Sequence, residues 1–164
     1  MHKDIIEINN FLSEESINKI YNIALEATDE EWDLMNDEEL NGIFWNGKRM
    51  MFDPRDSFEL QNKIKEYTQD GFWVTTCNKL QRFYKDDVLG PLVDYDHGNN
   101  MTKGFVLFLH DDYSGGGIEF PDLNYVIPTK KNKMVIYDSK IKYKIMGPNN
   151  ETKQHFITVF ENKQ

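Results

Sequence analysis

Residues 88–100 read VLGPLVDYDHGNN and crowd Asp94, Asp96 and His97 into four positions bounded by glycine and asparagine. Carboxylate and imidazole side chains this close in a turn are metal-ligand chemistry. On an extended segment Asp94 and Asp96 alternate, which turns both to one side. Two carboxylates without an imidazole suit Mg²⁺ or Ca²⁺, because hard oxygen donors prefer hard cations. His110 or His155 would add the nitrogen donors that favour iron. The same loop also reads without a metal: Asp94 and Asp96 as loop carboxylates, with Asn99 and Asn100 serving the turn. The remaining residues offer less. Cys77 has no His-Asp partner nearby, so nothing activates it as a nucleophile. His110, at a strand end before two aspartates, reads as a surface or satisfied histidine, and His155 as a core or edge residue opening the last strand. Trp32, Trp45 and Trp73 read as core or interface aromatics. No phosphate-binding glycine loop and no Ser-His-Asp order stand out.

The chain has to position such a loop with 164 residues, the length of one domain spanning 1–164. Twenty-eight acidic against 19 basic residues leave a formal charge of -9, and the pI is about 4.9. That surface repels phosphate backbones and excludes sequence-independent nucleic-acid binding. The basic run TKKNK, Thr129 to Lys133, reads as a solvated hairpin turn. One cysteine excludes an internal disulfide and a cysteine-based zinc site. The first residues, MHKDIIEINNFL, are too polar for a signal peptide, and no stretch is long enough to span a bilayer. We expect an intracellular protein with no membrane partner.

The patterns predict a short strand in DIIEI, then a helix capped by Ser13 with Glu14 and Glu15 in its first turn. Ile17, Ile20, Tyr21 and Ala24 share one face of it. Residues 28–41 read as an acidic loop or short helix, and GIFWNGKRMMF as a hairpin turning at Asn46-Gly47. A second helix follows, with Phe58, Leu60, Ile64 and Tyr67 apolar and Gly71 as its stop. Thereafter the chain reads as strands: FWVTTCNKLQRFYK, KGFVLFLHDD, GGIEF, NYVIPT, KMVIYDS and HFITVFE. Helices followed by strands joined by short turns predict an α+β fold, its helices packed on one face of a mostly antiparallel sheet. Closure into a jelly roll protects the strand edges.

The succession LQRFY, LGPLVDYD, TKGFVLFLHDDYSGGGIEFP, PTKKNKMVIYDS and YKIMGPNNETKQHFITVF resembles the double-stranded β-helix core of the iron(II)/2-oxoglutarate dioxygenases, prolyl 4-hydroxylase type. The resemblance covers about residues 78–160, and small proteins of this kind are encoded by phages. HDDYSGGGIEFP carries it best, with Gly115 to Gly117 allowing positive φ at a tight reversal. Core strands are expected over about 72–160.

The resemblance implies a metal held by a His-x-Asp pair and a later histidine. Counted from Pro91, Leu92 stands where the first histidine belongs and Asp94 where the carboxylate does. Tyr143 stands in the place of the last histidine. The basic residue that holds 2-oxoglutarate falls on Lys153 counted from Tyr143, and on Gln154 counted back from Phe160. Phe108 stands where many members have a tyrosine. With Leu92 and Tyr143 replacing both imidazoles, the sequence is expected to encode a binding or structural module without cofactor. It would serve a protein partner, and the acidic stretch Asp29 to Glu39 would meet a basic one. If the gene is viral, a virion or host-cytoplasm role follows, and an exposed strand edge would permit an oligomer. Two further readings stay open. One is an active oxygenase hydroxylating a prolyl or other peptide side chain. It would hold Fe(II) with Asp94 and some of Asp96, His97, His110 and His155, and 2-oxoglutarate with Lys153. The other is a regulator that binds a dicarboxylate through Lys153 without turnover.

Overall fold

A computed structural model describes residues 2–34, 47–74, 78–96 and 100–163. In chain order the elements are β1 (Ile5–Ile8), α1 (Glu14–Glu26), β2 (Asp33–Leu34), β3 (Lys48–Phe52), α2 (Phe58–Lys65), β4 (Trp73–Val74), β5 (Asn78–Phe83), β6 (Val88–Leu92), β7 (Met101–Phe108), β8 (Gly115–Phe120), β9 (Tyr125–Ile127), β10 (Met134–Asp138), β11 (Tyr143–Pro148) and β12 (Gln154–Asn162). Cys77, Trp45, His97, Asn99 and residues 35–39 of the acidic stretch lie outside the described residues.

Both helices begin as their sequences ask. The Ser13 hydroxyl accepts from the Ser16 N–H at 3.2 Å, and the Ser57 hydroxyl accepts from Leu60 N–H at 3.2 Å. Glu59 in the first turn of α2 also accepts from the backbone and hydroxyl of Ser13, each at 2.7 Å, and from the Ser16 hydroxyl. One carboxylate therefore serves two helix N-termini, where negative charge is favoured. Ile17, Ile20 and Ala24 of α1 and Leu60 and Ile64 of α2 are buried. Phe58, apolar at the same spacing, opens α2 and is exposed instead.

The strands form two antiparallel sheets. The larger has the order β1-β10-β7-β12-β5-β3-β2, with β4 also on β12; the smaller is β6-β11-β8-β9. The helices cover the outer face of the larger sheet, packing on Leu80, Phe105, Leu107, Ile157 and Val159. Its inner face meets the smaller sheet through Phe83, Val106, Phe108, Tyr137 and Phe156 against Ile118, Phe120, Tyr143 and Ile145. A strand covered on both faces is apolar at every position, which is why GFVLFL in β7 shows no alternation. The expected α+β jelly roll with its helices on one face is the architecture observed.

One local reading is corrected. β6 and β11 were not read as strands, because Gly90-Pro91 interrupts one and Gly147-Pro148 ends the other, and both pairs signal turns. β3 pairs with β2 and β5, and Asn46 of the expected Asn46-Gly47 turn, with the residues before it, lies outside the described residues. In FWVTTCNKLQRFYK, β4 and β5 are strands that both pair with β12, and 75–77 lie outside the described residues. The basic run is a turn, as expected, and two of its lysines are paired: Lys131 Nζ lies 2.8 Å from Glu14 and Lys133 Nζ 2.6 Å from Glu7. No helix among the described residues is long and apolar enough to cross a membrane.

Candidate functional site

Asp94 follows β6 in a short 3₁₀ turn, Asp94–Asp96, and is only 4% exposed. β11 runs antiparallel beside β6 and pairs Tyr143 with Leu92. That register sets the Tyr143 ring over the turn, and its hydroxyl donates to Asp94 Oδ1 at 2.8 Å. Tyr137, on β10, donates to Asp94 Oδ2 at 3.1 Å. The two rings lie 4.6 Å apart between centroids. Tyr137 finds room because its cross-strand partner on β7 is Gly104. A Cβ there would stand 2.2 Å from Tyr137 Cζ.

Burial pushes the Asp94 carboxyl up to about 6, against the pull of the hydrogen bonds from Tyr143 and Tyr137. The same burial, reinforced by the Asp94 charge, raises both phenols well above their ordinary value. They stay protonated and act as donors. Each carboxylate oxygen thus has a phenol donor where metal-binding imidazoles would be needed. Leu92 offers no donor atom. Among the described residues, no three histidine, cysteine, aspartate or glutamate side chains gather around one point. These residues do not fit an iron centre built from two histidines and a carboxylate.

The rival ligands are not brought to Asp94 either. The 3₁₀ turn replaces the extended segment expected for residues 94–96, so Asp96 is exposed while Asp94 is buried. The reading that both face one side is therefore corrected. His110 and His155 lie on the helix-facing side of the larger sheet and pair with each other. Arg82 Nε donates to His155 Nε2 at 2.9 Å. An arginine can only donate, so His155 carries its proton on Nδ1 and passes a hydrogen bond to His110 Nε2 at 3.0 Å. His110 Nδ1 then donates to the largely exposed Asp112. Tyr21 stacks on His110 at 4.5 Å, Arg82 lies 4.2 Å from the Trp32 ring, and Arg82 Nη2 donates to Ala24 O at 2.9 Å. Burial, the neighbouring His110 and Arg82 bring the His155 imidazole down to about 3. This chain docks α1 on the sheet. Sequence reading missed it as a unit, since its two histidines are 45 positions apart; the only local hint was a histidine alternating with buried apolar residues in HFITVF.

The two candidate co-substrate residues separate cleanly. Lys153 precedes β12 and is exposed. Gln154 is the first residue of β12 and is 0% exposed. It alternates with Phe156, whose ring packs between the sheets. Counting back from Phe160 therefore finds the interior position, and a neutral amide occupies it. Neither atom of that amide has a protein partner, and the same holds for the hydroxyls of Tyr113 and Thr129. Phe108 is fully buried, its ring 6.3 Å from Phe156.

No family model and no curated protein matches this sequence. Solved structures do match in fold. A viral collagen prolyl hydroxylase from Paramecium Bursaria Chlorella virus-1, in complex with 2OG, superposes with a TM-score of 0.75 at 15% identity, over 99% of this chain and 97% of its own. A Pseudomonas putida prolyl-4-hydroxylase gives 0.74 at 10% identity, over 98% and 93%. A Trichoplax adhaerens prolyl hydroxylase, in complex with a hypoxia inducible factor peptide fragment, gives 0.75 at 11% identity, over 98% and 84%. The sheet orders β10-β7-β12-β5 and β6-β11-β8-β9, and likeness over nearly whole chains, lead to one conclusion: this chain has the double-stranded β-helix fold of the iron(II)/2-oxoglutarate oxygenases, prolyl 4-hydroxylase type.

Proposed function

We propose that this protein is a double-stranded β-helix module that works by binding a protein partner, without iron and without turnover of 2-oxoglutarate. One observation carries the reading: the Tyr143 and Tyr137 hydroxyls occupy both oxygens of Asp94, the one retained candidate ligand. Function resides in sites rather than folds, and here both oxygens of the carboxylate are satisfied by phenols. Gln154 supports the reading, because a neutral amide offers a dicarboxylate no counter-charge. The formal charge of -9 directs the choice of partner toward a basic surface. A place in a phage particle or at a host protein is the setting we propose for it.

The test is anaerobic titration of Fe(II) with 2-oxoglutarate into the metal-free protein, following visible absorbance and melting temperature, with Asp94→Ala alongside. We expect no absorbance band and no thermal shift in either. A band and a thermal shift that Asp94→Ala abolishes would overturn the proposal. That result would favour the second reading, an oxygenase acting on a prolyl or other peptide side chain, which the full-length likeness to prolyl hydroxylases keeps in view. With no binding, capture of partners on the immobilised chain at two salt concentrations becomes the next step. A basic partner is released as salt screens the interface.

A further inference from the structure

Four segments of the chain meet beside the Asp94–Asp96 turn. The Tyr95 N–H donates to Ser139 O at 3.0 Å, the Ser139 N–H to Thr102 O at 3.1 Å and the Lys163 N–H to Asn100 O at 2.9 Å. The Ser139 hydroxyl donates to Met101 O at 2.7 Å. These bonds tie the turn after β6, the start of β7, the turn after β10 and the end of β12 into one frame. A cleft of about 190 Å³ opens on it, walled by Tyr95, Met101 and Thr102 and by the charged side chains of Asp138, Lys140 and Lys163. Sites for drug-sized ligands measure roughly 300–1,000 Å³, so this one has room for a single side chain.

The cleft is positive on a chain whose formal charge is -9. Lys140 and Lys163 are exposed, and neither forms an ion pair with a carboxylate of the described residues. The Lys140 ammonium lies 5.0 Å from the centroid of the Tyr95 ring, a cation–π contact that holds it at the wall of the cleft. Asp138 offsets one of the two cations, and its Oδ1 already accepts the Lys140 N–H at 2.8 Å. One positive charge is left over. The Ser139 and Thr102 hydroxyls are committed, the first to Met101 O and the second to Glu161 Oε1 at 2.7 Å. The two ammoniums are therefore the donors a guest would meet. A carboxylate matches the single spare charge; a dianionic phosphate would leave negative charge facing Asp138.

We propose that this cleft receives the carboxylate of an acidic side chain on a partner protein. This deepens the proposed function and rests on its reading of a protein partner. The overall charge draws a basic surface, and one aspartate or glutamate set within that surface fixes where it docks.

Glutamate and glutamine, each acetylated at its amine and amidated at its α-carboxyl, are isosteres that differ by one charge. Both are titrated into the full, isotope-labelled chain in mildly alkaline buffer, where inorganic phosphate, the third probe, is a dianion. The Ser139, Lys140 and Lys163 amide resonances are followed. Capped glutamate is expected to shift them saturably, with phosphate weaker and capped glutamine silent. Lys140→Gln and Lys163→Gln change exposed side chains; each should weaken capped glutamate about threefold, the scale of an exposed ion pair, and together they should abolish the shift. Asp138→Asn keeps the acceptor for the Lys140 N–H and removes the opposing charge, so it should raise phosphate to the level of capped glutamate. Resonances unmoved by capped glutamate, or moved equally by capped glutamine, overturn the cleft alone and leave the iron-free reading to its own titration. Phosphate binding more tightly than capped glutamate in wild type overturns the match to a single charge. Iron binding with these shifts intact would overturn the proposed function and spare the cleft.

Discussion

The Tyr143 hydroxyl donates to Asp94 Oδ1 at 2.8 Å across the smaller sheet. Two residues 49 positions apart are thereby joined into a closed polar unit with Tyr137, in a largely apolar interior between the sheets. The unit is stable only as a set. Removing one donor leaves a buried carboxylate with half its solvation.

Tyr143→Phe is therefore expected to destabilise the protein by about 1–3 kcal/mol, the cost of leaving a buried acceptor unpaired. Urea unfolding at neutral pH measures it. Asp94→Asn separates charge from hydrogen bonding. The folded-state value of about 6 lies above the ordinary 3.8, so wild-type stability from this group is full below pH 4 and is lost as pH rises through 6. The effect is at most about 3 kcal/mol. Asp94→Asn should lose that slope, and parallel pH profiles for the two proteins would refute the burial argument.

If the tyrosine stands in an imidazole's place, putting the imidazoles back should make a metal site. Leu92→His with Tyr143→His sets two nitrogen donors on paired strand positions, beside the Asp94 carboxylate. Co(II) is expected to give visible ligand-field bands in the double variant, absent from wild type. Adding Asp94→Ala should remove them. A colourless double variant that is folded would mean the two strands do not converge on a metal-sized space.

His155 has the opposite pH sign to Asp94. Its folded value of about 3 lies below the ordinary 6.5. Stability from it is complete above pH 6.5 and declines as pH falls toward 3, since only the unfolded chain takes up the proton. The charged and titratable groups around it are His110, Arg82, Lys153 and Asp112, with the Tyr21 ring of α1 at 5.8 Å. The loss is at most about 5 kcal/mol. Hydrogen exchange in α1 should accelerate first, because Arg82 ties Ala24 O to this chain. His155→Gln should flatten the acid limb of the unfolding profile; an unchanged limb would count against it.

Gly104→Ala tests how Tyr137 reaches its place. The added methyl would meet the Tyr137 ring at 2.2 Å, and backbone and core leave little room to yield. A loss of about 1–3 kcal/mol is expected from overpacking. Near-ultraviolet circular dichroism should change with it as the ring is displaced. Wild-type stability with an unchanged tyrosine signal would show that the strand gives way instead.

Much of this fold was legible because its signals are local. Ser13 caps its helix as the sequence suggests, and β7, β10 and β12 are apolar enough to be recognised as interior strands. β6 and β11 were missed because each contains a Gly-Pro pair, and proline reads as a turn unless the sheet is known. The alternation rule applied to Asp94 and Asp96 failed for a related reason: it presumes extended backbone, and the chain turns there in a 3₁₀ conformation.

The residue types at the site were open to reading from the sequence alone. Leu92, Asp94 and Tyr143 in that order leave one carboxylate and no imidazole, whatever the fold does with them. What the tertiary structure decided was partnership. It joined Asp94 to Tyr137, a residue no spacing rule singles out, because β10 faces the turn and Gly104 clears the space. It turned Gln154 inward and Lys153 outward, a choice that residue counting left open. It put His110 and His155 together on the far face of the sheet. Each of these depends on strand register and on which face of the pleat a residue occupies. One position of slip reverses that face, and only long-range pairing sets the register.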